Sequence, residues 1–286
     1  MARWRVGAST WVLQFPIDPS GGPDLVRRMV TAGCEHVEFG GEAVGLAAPI
    51  LADVREVLDR DGVTSSVCGL FSAERDLSSE DPACRAAAHQ HLDECLRLAS
   101  ALGSYIVVGA FCGTGGRTRL DPSVASTRRR IGADELDLAS TRARQHGMKL
   151  GIEPLNRYEN NLLNTVEQAL DVVAELDNAV IGVHLDIFHA NIEEISIPAA
   201  ITTAGTRLVH MHAVSNQRGA PGDAGHLPWP EIAQALRAVR YEGSLVVEAV
   251  APESVLAEPA CVWRPVKESQ QSLLEDAMMF LSRLGS

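Results

Sequence analysis

The chain has 286 residues, 46% hydrophobic and 22% charged, and its 25 Lys and Arg against 37 Asp and Glu leave a formal charge of −12. That composition excludes a disordered or fibrous chain, and a negative balance without an extended basic stripe argues against nucleic acid as a partner, since phosphate neutralisation needs clustered positive charge. No run approaches the ~20 consecutive apolar residues of a membrane span, and the N-terminal residues lack the pattern of a secretory signal. The six cysteines are widely spaced with no Cys-x-x-Cys pair. The expectation is a cytoplasmic protein with free thiols and no membrane association.

Taken in chain order, short apolar runs alternate with longer segments at helical spacing. Runs at 5–9, 36–39, 64–68, 105–110, 149–153, 181–186, 208–212 and 245–250 predict eight strands. Stretches near 23–33, 47–61, 82–102, 122–146, 164–177, 193–204, 230–240 and 266–284 predict the helices that follow them. The third helix is the clearest, with Ala88, Leu92, Cys95, Leu96, Ala99 and Leu102 on one face at steps of three and four. Pro82, Pro122 and Pro230 stand at or near helix starts, and Gly33, Gly62, Gly103 and Gly147 follow helical segments as caps do. The basic run Arg128, Arg129 and Arg130 shares its helix with Asp134, Glu135 and Asp137 and reads as a solvated face. Strand–helix units of about 36 residues predict a single α/β domain over residues 1–286, a parallel (β/α)8 TIM barrel. The alternative, a doubly wound open sheet, requires a reversal of strand order.

In such a barrel the chemistry lies at the C-terminal ends of the strands. Strand five ends in Glu153, strand six in Asp186, strand seven in His212, and strand eight reaches Glu248. Three carboxylates converging on one rim repel one another unless a positive charge lies between them. A four-ligand divalent-metal site of Glu153, Asp186, His212 and Glu248 is therefore predicted. Three oxygens and one imidazole suit manganese, magnesium or cobalt better than thiolate-selective zinc. Glu159, His189 and Arg218 occupy the neighbouring loops, where they can reach a substrate or serve as an ion pair, a packing histidine and a solvated arginine.

The strings Ile152-Glu-Pro-Leu-Asn-Arg-Tyr-Glu159 and His184-Leu-Asp-Ile-Phe-His-Ala-Asn-Ile-Glu193, together with His210-Met-His212 followed by Asn216, Arg218 and Leu227-Pro-Trp229, resemble the ketose 3-epimerases of the xylose-isomerase-like barrel superfamily. The resemblance is close over residues 150–250 and lies in layout more than in motif before them. It implies that Glu153, Asp186, His212 and Glu248 bind one manganese or related ion and that Glu153 and Glu248 also exchange the proton. It also implies that Glu159, His189 and Arg218 bind substrate, a small sugar or polyol ketone, and that the chain forms a homodimer or homotetramer. The chemistry is consistent: a hydrogen beside a ketone is weakly acidic, a metal stabilises the enediolate left behind, and inversion needs an acid/base group on each face.

Some positions depart from the family. Ser215 stands where a glutamate is common, the Pro221-Gly-Asp-Ala-Gly-His226 turn is longer, and the Cys112-Gly-Thr-Gly-Gly116 loop, expected to face substrate, lacks an aromatic residue. Trp11 and Phe15 can form an apolar wall or a contact between subunits, and the apolar segment 252–265 can cover the barrel or meet a neighbour. The same enolisation also begins an aldose–ketose isomerisation, an inosose dehydration or a lyase reaction on an oxidised glycoside. A catalytically silent sugar-binding barrel is a further reading. The charge and the single-ion ligand set disfavour an endonuclease of this superfamily.

Overall fold

The computed structural model describes residues 4–113, 115–222 and 225–285. Arg3 of the N-terminal segment, Thr114 of the glycine loop, and Asp223 and Ala224 of the 221–226 turn lie outside them. Eight strands form one closed barrel in chain order: β1 (Val6–Ser9), β2 (His36–Gly40), β3 (Thr64–Cys68), β4 (Ile106–Gly109), β5 (Lys149–Ile152), β6 (Ile181–Asp186), β7 (Leu208–His212) and β8 (Leu245–Val247). All neighbours are parallel, and β1 closes on β8 through Val6 and Leu245. No strand order is reversed, so the open doubly wound sheet is excluded.

The surrounding helices are α1 (Gly22–Thr31), α2 (Ala48–Asp61), α3 (Pro82–Leu102), α4 (Pro122–Gln145), α5 (Val166–Val173), α6 (Ile187–Glu193), α7 (Ile197–Ala204), α8 (Trp229–Ala238) and α9 (Gln270–Leu284). The predicted stripe of α3 is buried in full, as an apolar face laid on a barrel requires. Pro82 and Pro122 open their helices behind Asp81 and Asp121, whose carboxylates accept backbone N–H groups of the first turn. Gly62 and Gly103 adopt the left-handed conformation that ends α2 and α3. No helix among the described residues is long and apolar enough to cross a membrane, and the six cysteines are free.

Two expectations change. Residues 187–193, read as loop, form α6, because Asp186 caps the segment by accepting from the N–H groups of Phe188 and His189. Pro198 separates α7 from it, since proline donates no backbone hydrogen bond and clashes with the preceding turn. The basic run of α4 is not merely a solvated face: Arg128 is ion-paired with the buried Asp76, and Arg129 donates to the Leu162 carbonyl at 3.1 Å. The helix thus anchors the loops after β3 and β5.

Candidate active site

Glu153 follows β5 directly, Asp186 and His212 are the last residues of β6 and β7, and Glu248 follows β8 directly. All four side chains are buried at the C-terminal end of the barrel. The His212 Nδ1 lies 3.3 Å from Asp186 Oδ2, 3.5 Å from Glu248 Oε1 and 4.0 Å from Glu153 Oε1. One imidazole nitrogen thus faces an oxygen from each of three carboxylates, and ligand atoms of Glu153, Asp186 and His212 lie mutually within 4.8 Å. Asp186 divides its work, with Oδ1 capping α6 and Oδ2 facing His212.

The electrostatics of this cluster call for a cation. Burial raises the Glu153 carboxyl well above its ordinary range, with Glu248 and Asp186 adding to the effect against the pull of His212. Burial likewise lifts Glu248 to about 7. His212 moves the other way: burial disfavours its charge, but Glu248, Glu38 and Asp186 outweigh it and raise the imidazole well above its usual value. Without an ion, the positive charge facing these carboxylates falls to His212 and to Arg218, whose Nη1 lies 3.7 Å from Glu248 Oε2. The oxygen-rich donors and a single imidazole fit a hard or borderline divalent ion.

Glu38, in the middle of β2, was not singled out in the sequence. Its Oε1 lies 2.8 Å from His212 Nε2, and its Oε2 accepts from Ser66 Oγ at 2.8 Å and lies 2.9 Å from His210 Nε2. An ionised carboxylate only accepts hydrogen bonds, so in the neutral imidazole that binding a cation requires, Nε2 keeps the proton for Glu38 and Nδ1 presents its lone pair on the side of the three carboxylates. Burial opposes the Glu38 charge, but His212 and His210 hold its carboxyl well below the normal range. Its signal in the sequence was a carboxylate inside the predicted core strand His36-Val-Glu-Phe39.

The predicted substrate contacts converge on the same place. Arg218 is buried, donates from Nη2 to Glu159 Oε1 at 2.9 Å, places Nη1 3.7 Å from Glu248 Oε2, and lies 4.1 Å over the Phe188 ring. His189 Nδ1 faces the Asn156 backbone N–H at 3.2 Å and its side-chain amide nitrogen at 2.8 Å. Both partners donate, so Nδ1 accepts and the Nε2 proton is free for a ligand. Glu153, Glu159, His189, Arg218 and Glu248 line one cavity of about 230 Å³, with Trp11, Phe71 and Leu256 among the residues facing them.

A family model described as the xylose isomerase-like TIM barrel matches residues 26–277. The chain belongs to the xylose isomerase-like TIM barrel family. Within it the chain is 34% identical over 88% of its length to the D-psicose 3-epimerase of Ruminiclostridium cellulolyticum, of which 86% is covered. It is 33% identical over 85% of its length to the D-psicose 3-epimerase of Agrobacterium fabrum, with 84% of that protein covered. A solved D-psicose 3-epimerase, crystallised in the presence of D-fructose, superposes with a TM-score of 0.89 at 27% identity, covering 99% of this chain and 100% of that one. This xylose isomerase-like barrel is therefore an isomerase of the ketose 3-epimerase group.

The structure also places the positions expected to depart from the pattern of the ketose 3-epimerases. Ser215 closes its own loop, its Oγ accepting from the Gly219 N–H at 2.9 Å. Gly113, Gly115 and Gly116 line a separate cavity with Asp76 and Arg128, so the described residues of the glycine loop, expected to face substrate, do not line the site. Asp76 accepts from the Gly113 N–H at 3.1 Å, and the Gly115 N–H donates to the Glu159 carbonyl at 2.9 Å, so the loop is held on both sides. Trp11 joins the pocket wall with Phe15 edge-on against it at 5.9 Å, and Leu256, Pro259 and Ala260 of the segment after β8 cover the same pocket.

Proposed function

We propose that this protein is a divalent-metal-dependent ketose 3-epimerase in which Glu153, Asp186, His212 and Glu248 hold one ion, manganese by preference with magnesium or cobalt as alternatives. The observation that carries the reading is His212 Nδ1 facing one oxygen from each of three carboxylates, two of which, Glu153 and Glu248, also line the pocket. When bound, the ion supplies positive charge for the oxygens of the enediolate. Glu153 or Glu248 takes the proton from carbon 3, the C–H electron pair enters the bond to the carbonyl carbon, and the other glutamate returns a proton from the opposite face.

Arg218 bridges Glu159 and Glu248, so it both fixes Glu248 and offers its remaining N–H groups to sugar hydroxyls, while His189 presents its Nε2 proton. The relatives named for psicose support a free ketose as substrate. A homodimer or homotetramer is part of the same reading, resting on the resemblance to the ketose 3-epimerases. The test is proton exchange by NMR: metal-loaded protein in deuterated buffer against a panel of ketoses. Deuterium at carbon 3 together with the C3 epimer is expected, and Glu153→Gln and Glu248→Gln should each lower the rate by about 10²–10⁴-fold. A protein with one ion bound per chain that exchanges no ketose proton would refute the assignment.

A further inference from the structure

The interior of a (β/α)8 barrel is ordinarily filled by apolar branched side chains, but below the carboxylate rim this one carries a column of polar groups. His36 and Glu38 of β2 lie opposite Thr64 and Ser66 of β3 in the parallel register. His36, Glu38 and Ser66 are wholly buried. The Thr64 hydroxyl lies 2.9 Å from His36 Nδ1, His36 Nε2 lies 2.9 Å from Ser66 Oγ, and Ser66 Oγ donates to Glu38 Oε2 at 2.8 Å. Glu38 Oε1 then meets His212 Nε2 at 2.8 Å. The column runs from the first residue of β3, at the N-terminal end of the barrel, to the last residue of β7 at the C-terminal end.

Its hydrogen positions follow from the carboxylate. An ionised carboxylate only accepts, so the single Ser66 proton points at Glu38, and Ser66 Oγ is left to accept from His36 Nε2. Burial, with His210 opposing a second positive charge, pushes His36 down to about 3, so the ring is neutral. Its Nδ1 therefore accepts from Thr64, whose hydroxyl is nearer to it than to the Glu35 carbonyl at 3.4 Å. Every donor from Thr64 to Ser66 points toward the rim. His210 Nε2 also lies 2.9 Å from Glu38 Oε2, but no hydrogen bond to its Nδ1 fixes that ring, whereas Ser66 is held by His36. Polar groups buried this deeply cost free energy unless each is bonded, so filling the space alone would favour apolar side chains.

Building on the metal-site reading, we infer that Ser66 is a positioning residue for the metal centre: its hydroxyl, given one direction by His36 and Thr64, holds Glu38 as the fixed anion that turns the His212 Nδ1 lone pair toward the ion. Ser66 touches neither the proposed ligands nor the substrate pocket. It acts through Glu38, and its effect should vanish when Glu38 loses its charge.

The experiment is calorimetric titration of manganese into the metal-free full chain for wild type, Ser66→Ala, Glu38→Gln and the double variant. Ser66→Ala should weaken binding by about tenfold, the lower end for groups that orient a metal ligand. In the Glu38→Gln background the same substitution should change the Kd by less than about twofold, because no anion remains for the hydroxyl to hold. Ser65→Ala is the control for loss of a buried hydroxyl, since Ser65 bonds Ser104 Oγ at 2.7 Å outside the column; its Kd should match wild type. The visible spectrum of the cobalt-loaded protein should shift in Ser66→Ala and not in Ser65→Ala. In magnesium-loaded wild type, histidine 15N NMR should place the His36 proton on Nε2, and a proton on Nδ1 overturns the inference without any variant. A wild-type Kd in Ser66→Ala overturns it too, as does an equal loss in both Glu38 backgrounds. If wild type binds no divalent ion, the metal-site reading itself falls, and the inference with it.

Discussion

His212 has two ring nitrogens and two tasks, and each depends on a carboxylate. Glu38 receives the Nε2 proton at 2.8 Å, which aims the Nδ1 lone pair at Asp186, Glu153 and Glu248. Glutamine in place of Glu38 offers His212 an oxygen but no charge, and its amide group must then face Ser66 or His210. Glu38→Gln should therefore weaken manganese binding by about 10–100-fold, measured by calorimetric titration with the fold checked by circular dichroism. Unaltered affinity would mean that packing alone orients His212. Beneath it, His184 and His210 are wholly buried and held neutral, burial lowering both of their proton affinities. Glu38 was hard to recognise because one glutamate in a strand carries no spacing pattern, and its partners are 28 to 174 residues away in the chain.

At the scale of elements, each strand delivers its last side chain to one rim because all eight run parallel and in order. Asp186 belongs at once to β6 and to the cap of α6, so the helix start that holds His189 and the ligand oxygen toward His212 are set by one residue. The capping signal was present in the sequence, but a seven-residue helix beside a strand end offers too few turns for periodicity to reveal it. The close approach of strands makes a separate demand. A Cβ at Gly7 of β1 would run into the backbone carbonyl of His36, its register partner in β2. Gly7→Ala should cost roughly 1–3 kcal/mol, read from chemical denaturation. Stability equal to wild type would show that the two strands can separate freely.

Across the whole molecule, chemistry and shape are divided between the two halves of the barrel: the ligand-bearing ends belong to β5–β8, while the loops after β1, β3 and β4 build the wall. Concentrating three buried carboxylates at one rim destabilises the metal-free protein, and a bound ion reverses that cost. Saturating manganese at a hundred times its Kd should add about 2.7 kcal/mol, seen as a rise in Tm that a chelator removes. Glu153→Gln should raise the Tm of the metal-free protein, by relieving repulsion, and shrink the rise on adding manganese. If Glu153→Gln lowers the metal-free Tm, or leaves the metal-induced rise at its wild-type size, Glu153 does not share the proposed ion.

The order of strands and helices, and the acidic or imidazole residue at the end of each of the last four strands, were determined by the sequence alone. Hydrophobic periodicity, proline and glycine placement and strand-end position are local properties that survive without knowledge of the fold. Closing the barrel decided the rest. It brought Glu38 of β2 against His212 of β7, set Glu42 on the Trp11 indole, tied Gly113 to Asp76, and laid Leu256 over the pocket. These pairings join residues far apart in the chain through burial and hydrogen bonding. Their energies depend on distance and on exclusion of water, quantities that exist only once the chain is packed.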